Sequence, residues 1–485
     1  MRQRIICMVT VWLATLAQTT PGQMKMTLEQ ALETAMAKSP EILQVKLNLE
    51  RSRESLQAQQ AALKSKFSLS VTPFSYDRTR QFNPYFGWNT NETKESETTL
   101  RVSQPLKWTD GTLSFYNRFN WQDSYSEVRK QKDKSFSNYL YLTLSQPIFT
   151  YNRTMLQIKG LVLELENNTL NYAIQRLALE RQVTQSFYRV YSQKLSHQIA
   201  VEEYQNQQVS YDIIKNKVAA GLAAQEELYQ AELNLASSKS AVQDALVLLE
   251  NYTDDFKQQL GLSLFQDIEV MADVTHQPVA VDLQKALDSG LKARMELQQR
   301  QIDVDLAQAE LVRTASLNEF KGDLQFTYGI IGSDEKVRNV YEVPTKNQKY
   351  QLTFEIPLFD WGEKAARIKA QKAAIRSQEL NLDDQRNDII IGIRQAYRTL
   401  NNQEVQIEIA QQNVRNAQLT YDINLERYRN GDLTSMDLSL YQNQLSQKKN
   451  GLVESLINYK MALLNLKIQS LWDFGRNQAV LPELR

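Results

Sequence analysis

Histidine and cysteine, the residues that most often carry catalysis or hold metals, are nearly missing from this 485-residue sequence. It has two histidines, His197 and His276, far apart in the chain, and a single cysteine, Cys7. Histidine-based acid–base catalysis and zinc ligation both require such side chains in clusters. The sequence therefore predicts no catalytic residues, no cofactor-binding residues and no metal site, and a protein that is not an enzyme.

The overall composition also limits the kind of partner and fold. The chain has 56 Lys and Arg against 56 Asp and Glu, whereas nucleic-acid binding needs a basic surface. It has only 15 Gly and 10 Pro, so residues that form turns are scarce. We therefore expect no nucleic-acid partner, and long secondary-structure elements.

The N-terminus predicts export. Arg2 and Arg4 precede an apolar run over 5–17, and Thr15-Leu16-Ala17 supplies small residues of the kind a signal peptidase accepts. The run is shorter than the roughly 20 apolar residues of a membrane-spanning helix. We interpret 1–17 as a signal peptide. Since no later stretch is as apolar, any insertion into a membrane must use β-strands.

An internal duplication organises the mature chain. The segment "YDIIKNKVAAGLAAQEEL" from Tyr211 matches "YDINLERYRNGDLTSMDL" from Tyr421, and Pro147 matches Pro357 at the same offset. The helix-like openings from Leu28 and Leu283 match at a larger offset, so the first repeat has about 45 extra residues between 67 and 149. The predicted organisation is a first repeat over 18–260, a linker over 261–282, a second repeat over 283–470 and a tail over 471–485.

Each repeat predicts long helices. The segments 150–260 and 360–470 lack proline, and each has a glycine near its middle, Gly221 or Gly431, so we expect helical hairpins that turn there. After each glycine, apolar residues recur every seven positions, which is typical of a coiled-coil seam. Further helices are predicted over 28–66 and 283–319.

The segments that precede each hairpin predict strands. Over 67–149 and 322–357, apolar and polar residues alternate, as in Leu324, Phe326 and Tyr328. Aromatic residues concentrate in the first of these regions, as in the girdles of outer-membrane barrels. A half-buried soluble sheet would show the same alternation. If the strands lie in a membrane, open edges would leave backbone groups unpaired in hydrocarbon, so several chains must close one barrel.

In its order of elements the chain resembles the TolC-like outer membrane efflux protein family. The resemblance rests on the duplicated "LEQAL…SPEI" opening from Leu28, the prolines that end a strand before each long helix, and the glycine turns. It implies a mixed, mainly α fold: a homotrimer whose long hairpins form a periplasmic α-barrel, capped by a 12-stranded transmembrane β-barrel. It also implies a passive channel in the outer membrane lipid that works with a periplasmic adaptor (membrane fusion) protein and an inner-membrane RND, MFS or ABC transporter.

The same resemblance implies a gate at the helix tips. In the family a tyrosine and an arginine near the second tip bond toward an acid at the first tip, and aspartates form a cation-binding ring. Here Tyr428 matches the tyrosine, Glu227 takes the place of the acid and Asp437 matches the first ring aspartate. Leu433 stands at the arginine position and Leu440 at the second aspartate position, so the sequence does not predict an identical latch.

The turns at the tips are the predicted surface for the adaptor, with Gly221, Leu222, Gly431 and Asp432 at their centres. Two questions stay open at this point. The extra residues of the first repeat form a predicted strand hairpin, which either enters the barrel, for 18 strands in a trimer, or folds outside it. The main alternative function is a periplasmic coiled-coil adaptor or scaffold without a channel.

Overall fold

The computed structural model describes residues 24–480. The predicted signal peptide 1–17, Cys7 and the last five residues lie outside the described residues. In chain order the helices are α1 (Leu28–Lys38), α2 (Pro40–Ala62), α3 (Arg153–Ala219), α4 (Gln225–Leu260), α5 (Leu283–Ala293), α6 (Met295–Ala315), α7 (Glu363–Asn430) and α8 (Ser435–Ser470). None of these described helices has the length and apolar character needed to cross a membrane.

Two very long helices, α3 and α7, dominate the fold. They have 67 and 68 residues, and a rise of about 1.5 Å per residue makes each roughly 100 Å long. α3 packs against α2 and α4, and α7 packs against α6 and α8. The two hairpins lie side by side because α3 also packs along α8.

The main apolar cores lie near the middle of the two long helices. In one core, Phe187 of α3 meets Phe256 of α4 edge-on, with ring centroids 6.1 Å apart and both side chains fully buried. A second core surrounds Ile393 of α7 and Leu466 of α8. A separate small core lies at the far end, where both hairpins turn.

The prediction of one helix over 283–319 is wrong, because α5 and α6 are separated at Arg294. This residue is extended, with φ −63° and ψ 120°. Its guanidinium donates a 3.0 Å hydrogen bond to Gln469 Oε1 at the end of α8 and lies 2.6 Å from Glu296 Oε1. The interactions of the arginine with the end of α8 and with Glu296 at the start of α6 hold the break, which sequence periodicity does not reveal.

Within residues 24–480, ten strands accompany the helices: β1 (Met24–Met26), β2 (Lys66–Asn83), β3 (Gly87–Leu106), β4 (Gly111–Ser126), β5 (Gln131–Ile148), β6 (Ile268–Val270), β7 (Lys321–Asp334), β8 (Thr345–Glu355), β9 (Trp472–Asp473) and β10 (Gln478–Ala479). β6 pairs in parallel with β1, so the segment 261–282 is not a linker throughout but fastens the start of the first repeat. β9 and β10 form a short antiparallel pair in the predicted tail.

Six of the strands form one antiparallel sheet in the order β2-β3-β4-β5-β7-β8. The extra residues of the first repeat form a hairpin of β3 and β4, which we call the inserted hairpin. It lies within the sheet, between β2 and β5, and pairs with both neighbours over most of its length. The sheet therefore contains six strands from each chain rather than four.

The turn of the inserted hairpin is bonded to the start of α3. Asp110 in this turn accepts hydrogen bonds from the backbone N–H groups of Arg153 and Thr154, at 3.4 and 3.1 Å, and from the Thr154 hydroxyl at 2.5 Å. Asn152 donates to the carbonyl oxygens of Lys107 and Trp108 at 2.8 and 3.0 Å. The first N–H groups of a helix have no partner within it, so Asp110 supplies one.

In the second repeat, a residue close in sequence accepts the hydrogen bonds at the start of the long helix. Asp360 accepts hydrogen bonds from the N–H groups of Gly362 and Lys364, at 3.0 and 3.1 Å, at the start of α7. The residue equivalent to Asp360 in the first repeat is Thr150, at the offset of the duplication. The inserted hairpin thus provides the carboxylate that the first repeat lacks at this position.

Candidate functional site

The two hairpins turn in the same way at their tips. Gly221 and Gly431 follow the ends of α3 and α7 with φ of +74° and +91°, a region that glycine adopts easily. The next residues, Leu222 and Asp432, donate their N–H groups to the carbonyls of Lys217 and Arg427, at 2.8 and 2.9 Å. These bonds satisfy carbonyl groups at the helix ends, as in a Schellman motif.

A cleft of about 620 Å³ lies between the two tips. It brings together most of the residues that the sequence analysis selected. Glu227 and Asp437 line the cleft, with Leu222, Gly431 and Asp432. Gly221 is exposed at the first turn and is not among the residues that line the cleft.

Tyr428 lies beneath the cleft rather than in its wall. Its side chain is 0% exposed and packs in the apolar core of the tips, which includes Ile214 of α3 and Leu438 of α8. Its hydroxyl donates a 3.2 Å hydrogen bond to the carbonyl oxygen of Ser210. The tyrosine therefore connects α7 to α3 within one chain.

Lys217 is the residue at this site that the sequence analysis missed. Its Nζ atom donates a 2.5 Å hydrogen bond to the carbonyl oxygen of Tyr428 and lies 5.0 Å from the centroid of the Tyr428 ring. The lysine charge also sits at the C-terminal end of α7, which favours a cation. A sequence signal existed, because Lys217 occupies the position equivalent to Arg427 in the duplication, so both repeats have a basic residue there.

The two departures from the family pattern have different surroundings. Leu433, at the arginine position, is partly buried and packs against the core of the tips. Leu440, at the second aspartate position, is 64% exposed on α8. A cationic side chain at position 433 would lose this apolar packing. Lys217, near the end of α3, supplies a positive charge to the contact between the two hairpin tips from the opposite hairpin.

Asp437 and Glu227 occupy the first turns of the returning helices. Asp437 belongs to a cap, because its N–H donates to Thr434 Oγ1 at 3.2 Å and its Oδ2 accepts from that hydroxyl at 2.7 Å. Glu227 lies at the equivalent end of α4, where the helix dipole favours an acid. A ring of Asp437 carboxylates around a trimer axis stays a prediction.

The buried phenol of Tyr428 predicts a response to alkaline pH. Burial raises the pKa of Tyr428 to about 12, against roughly 10 for an exposed tyrosine. The folded state holds the proton more tightly, so the stabilisation from the neutral side chain is complete below pH 10. It is lost as the pH rises toward 12, by about 2 to 3 kcal/mol for each chain. We expect the tips to loosen over this interval and the Tyr428→Phe variant to lack the effect.

A difference titration of tyrosinate absorbance tests this expectation. Subtracting the Tyr428→Phe curve from that of the wild-type protein isolates one phenol, since the other tyrosines cancel. A midpoint well above 10 is expected. A midpoint at 10 would mean that the tyrosine is open to solvent and does not join the two hairpins.

Comparisons with known proteins agree with this geometry. Residues 286–469 match the sequence profile of the outer membrane efflux protein family. A search of curated proteins gives no match. Among solved structures, the Campylobacter jejuni CmeC outer membrane channel is 15% identical and aligns over 94% of this chain and 87% of its own, with a TM-score of 0.69.

Two further channels share the fold at similar similarity. The outer membrane protein VceC of Vibrio cholerae is 11% identical, with coverage of 91% and 95% and a TM-score of 0.67. The MtrE outer membrane channel of Neisseria gonorrhoeae, solved in an open state, is 12% identical, with coverage of 91% and 88% and a TM-score of 0.66. Residues 286–469 thus match the outer membrane efflux protein family in sequence, and the chain as a whole shares the fold of these outer membrane channels.

Proposed function

We propose that three copies of this chain form the passive exit duct of a tripartite efflux pump or of a type I secretion system. The trimer docks through its helix tips with a periplasmic adaptor protein, and an RND, MFS or ABC transporter in the inner membrane supplies the energy. One observation carries the proposal: hairpins about 100 Å long extend from a sheet with an exposed apolar face and end in free, polar tips. Such a chain can reach from the outer membrane far into the periplasm.

A periplasmic coiled-coil adaptor or scaffold is the alternative. This alternative accounts for the long hairpins but assigns no function to the sheet. Phe67 of β2, Tyr350 of β8 and Leu69 are between 65% and 73% exposed, and a soluble scaffold would have to leave this apolar surface in water. The duct places the same surface in lipid.

Single-particle imaging of the mature protein in mild detergent tests the proposal. We expect three-fold particles in which a detergent belt surrounds the sheet end and a helical cylinder of roughly 100 Å extends from it. Monomers, or rings without a belt, would favour the scaffold.

Photo-crosslinking tests the docking surface. A crosslinker at Leu222, which is 79% exposed at the first tip, should capture the adaptor in cells. The same crosslinker at Leu47, 63% exposed on α2 and distant from the tips, is the control and should not. Equal capture at both positions would exclude specific docking through the tips.

A further inference from the structure

We propose that the inserted hairpin is part of the membrane wall, so that three chains close a barrel of 18 strands. The inference rests on the proposed function, because it takes the trimer from there. It departs from the 12 strands that the family resemblance implies. Three copies of a six-stranded sheet supply three times six strands, provided that every strand of the sheet faces lipid on one side.

An apolar row of paired residues runs across the sheet from β2 to β7. Phe67 of β2 pairs with Val102 of β3, Val102 with Phe115 of β4, Phe115 with Leu142 of β5, and Leu142 with Tyr328 of β7. Directly paired residues point to the same face of a sheet. The inserted hairpin therefore continues this apolar row between β2 and β5, as a strand in contact with lipid must.

The opposite face of the sheet is polar along a parallel row. Its members, in strand order, are Lys66, Ser103, Ser114, Thr143, Thr327 and Lys349. Thr143 and Thr327 also share a 3.2 Å hydrogen bond between their hydroxyl groups. The inserted strands thus have the same apolar-out and polar-in alternation as the rest, which is typical of a wall around a water-filled lumen. A hairpin folded away outside the barrel would need no such match.

The inserted hairpin is also attached to the helices. Asp110 caps α3 and Asn152 bonds to the same turn, so the helix-side end of the hairpin is fixed at the level where β5 enters α3. With both long sides paired and one end bonded, the hairpin cannot leave the sheet without breaking these contacts.

The edges of the six-stranded sheet are β2 and β8. β2 and β8 each pair on one side only, and an unpaired edge in hydrocarbon costs several kcal/mol for each backbone group. The occupant of each edge is a second copy of this chain. In an antiparallel sheet of six strands the first and last run in opposite directions, so β8 of one copy can pair antiparallel with β2 of the next around a closed ring. Their exposed apolar residues, Phe67 and Leu69 on β2 and Tyr350 and Leu352 on β8, then continue the band.

The functional consequence is a wider exit. Barrel diameter grows roughly linearly with strand number, and 16 to 18 strands leave an aqueous channel in porins. The change from 12 to 18 strands increases the diameter by about half and the cross-section about two-fold. The chain therefore forms a duct whose outer-membrane section admits bulkier cargo than a 12-stranded barrel of the same family.

A pair of adjacent residues on β4 tests the wall directly. Phe115 belongs to the apolar row, and Tyr116 pairs with Tyr141 on the polar face. In the mature protein, predicted to lack Cys7, we expect the Phe115→Cys thiol to react with a lipid-soluble maleimide and not with a charged, water-soluble one. The Tyr116→Cys thiol should react with the charged reagent through the lumen. Reaction of both thiols with the charged reagent would overturn the proposal.

Counting strands in the particles completes the test. Wild-type protein should have 18 strands, and a trimer with 12 strands would contradict the inference while leaving the proposed duct intact. Absence of a trimer would instead contradict the duct. A variant that lacks residues 88–130 has no inserted hairpin, so the turn at 84–87 leads from β2 directly into β5. The same variant carries Thr150→Asp, which replaces the lost Asp110 cap in the way that Asp360 caps α7 in the second repeat. This variant should form 12 strands, and if it fails to fold the wild-type count still decides.

Discussion

Replacing Gly431 with proline is expected to abolish export while leaving the protein assembled in the outer membrane. Gly431 has φ of +91°, and proline is fixed near −65°. Proline also lacks the N–H group that Gly431 donates to the Tyr428 carbonyl at 3.2 Å. The turn must therefore rearrange at the surface where the adaptor is proposed to dock. Complete loss of drug or protein export from cells is the expected result.

The assembly should survive because the turn is far from the sheet and the main cores. Among the residues that the structure describes, no atom beyond the turn lies within 4 Å of the position that a Cβ atom of residue 431 would occupy. Gly431→Asn is the matched control, since asparagine tolerates positive φ and keeps the N–H group, and it should retain export. Heat-resistant oligomers on gels report assembly. If the proline variant no longer assembles, the turn serves folding, and if it exports normally, the tip shape has no role in docking.

Replacing Lys217 with methionine is expected to open the periplasmic end. The lysine holds the end of α7 to α3 through a charge-assisted hydrogen bond and a contact with the Tyr428 ring. Such a bond contributes about 1.5 to 3 kcal/mol, so its loss should shift a closed–open equilibrium by roughly 10- to 100-fold. We expect higher single-channel conductance in planar bilayers. Cells should also become more sensitive to large antibiotics that the outer membrane excludes.

Two variants show whether the charge or the packing matters. Lys217→Arg keeps a cation and should remain closed. Arg427→Met removes the equivalent residue of the second repeat, whose guanidinium donates a 3.4 Å hydrogen bond to Asn424 within its own helix, so little change is expected. Equal conductance for wild type and Lys217→Met would mean that the junction between the two hairpins does not limit opening.

The sequence predicted those features that depend on local patterns. The glycine turns at 221 and 431, the proline-free helices and the alternating strands all have signals within a few residues. Glu227 and Asp437 were assigned to a periplasmic gate at the tips, but only through the family resemblance. They do line one cleft, although their role in gating remains a prediction.

Features that depend on contacts between distant segments were missed or left open. The break at Arg294 depends on the end of α8, and the β1 and β6 pair joins residues more than 240 positions apart. The contact of Lys217 with Tyr428 depends on the two hairpin tips lying together, which a local sequence pattern does not show. The position of the inserted hairpin was undecided because β-strand periodicity shows which face is apolar but not which strand is the neighbour.

The Asp110 cap has a consequence for the order in which the protein matures. Asp360 immediately precedes α7, so the second long helix can complete its first turn as soon as that stretch leaves the ribosome and is exported. The first long helix has a local cap in Asn152, whose Oδ1 accepts from the Met155 N–H group, but the N–H groups of Arg153 and Thr154 receive their carboxylate from a turn more than 40 residues upstream. We therefore expect the first turn of α3 to be completed only once the inserted hairpin is in place, whereas the first turn of α7 needs no distant segment.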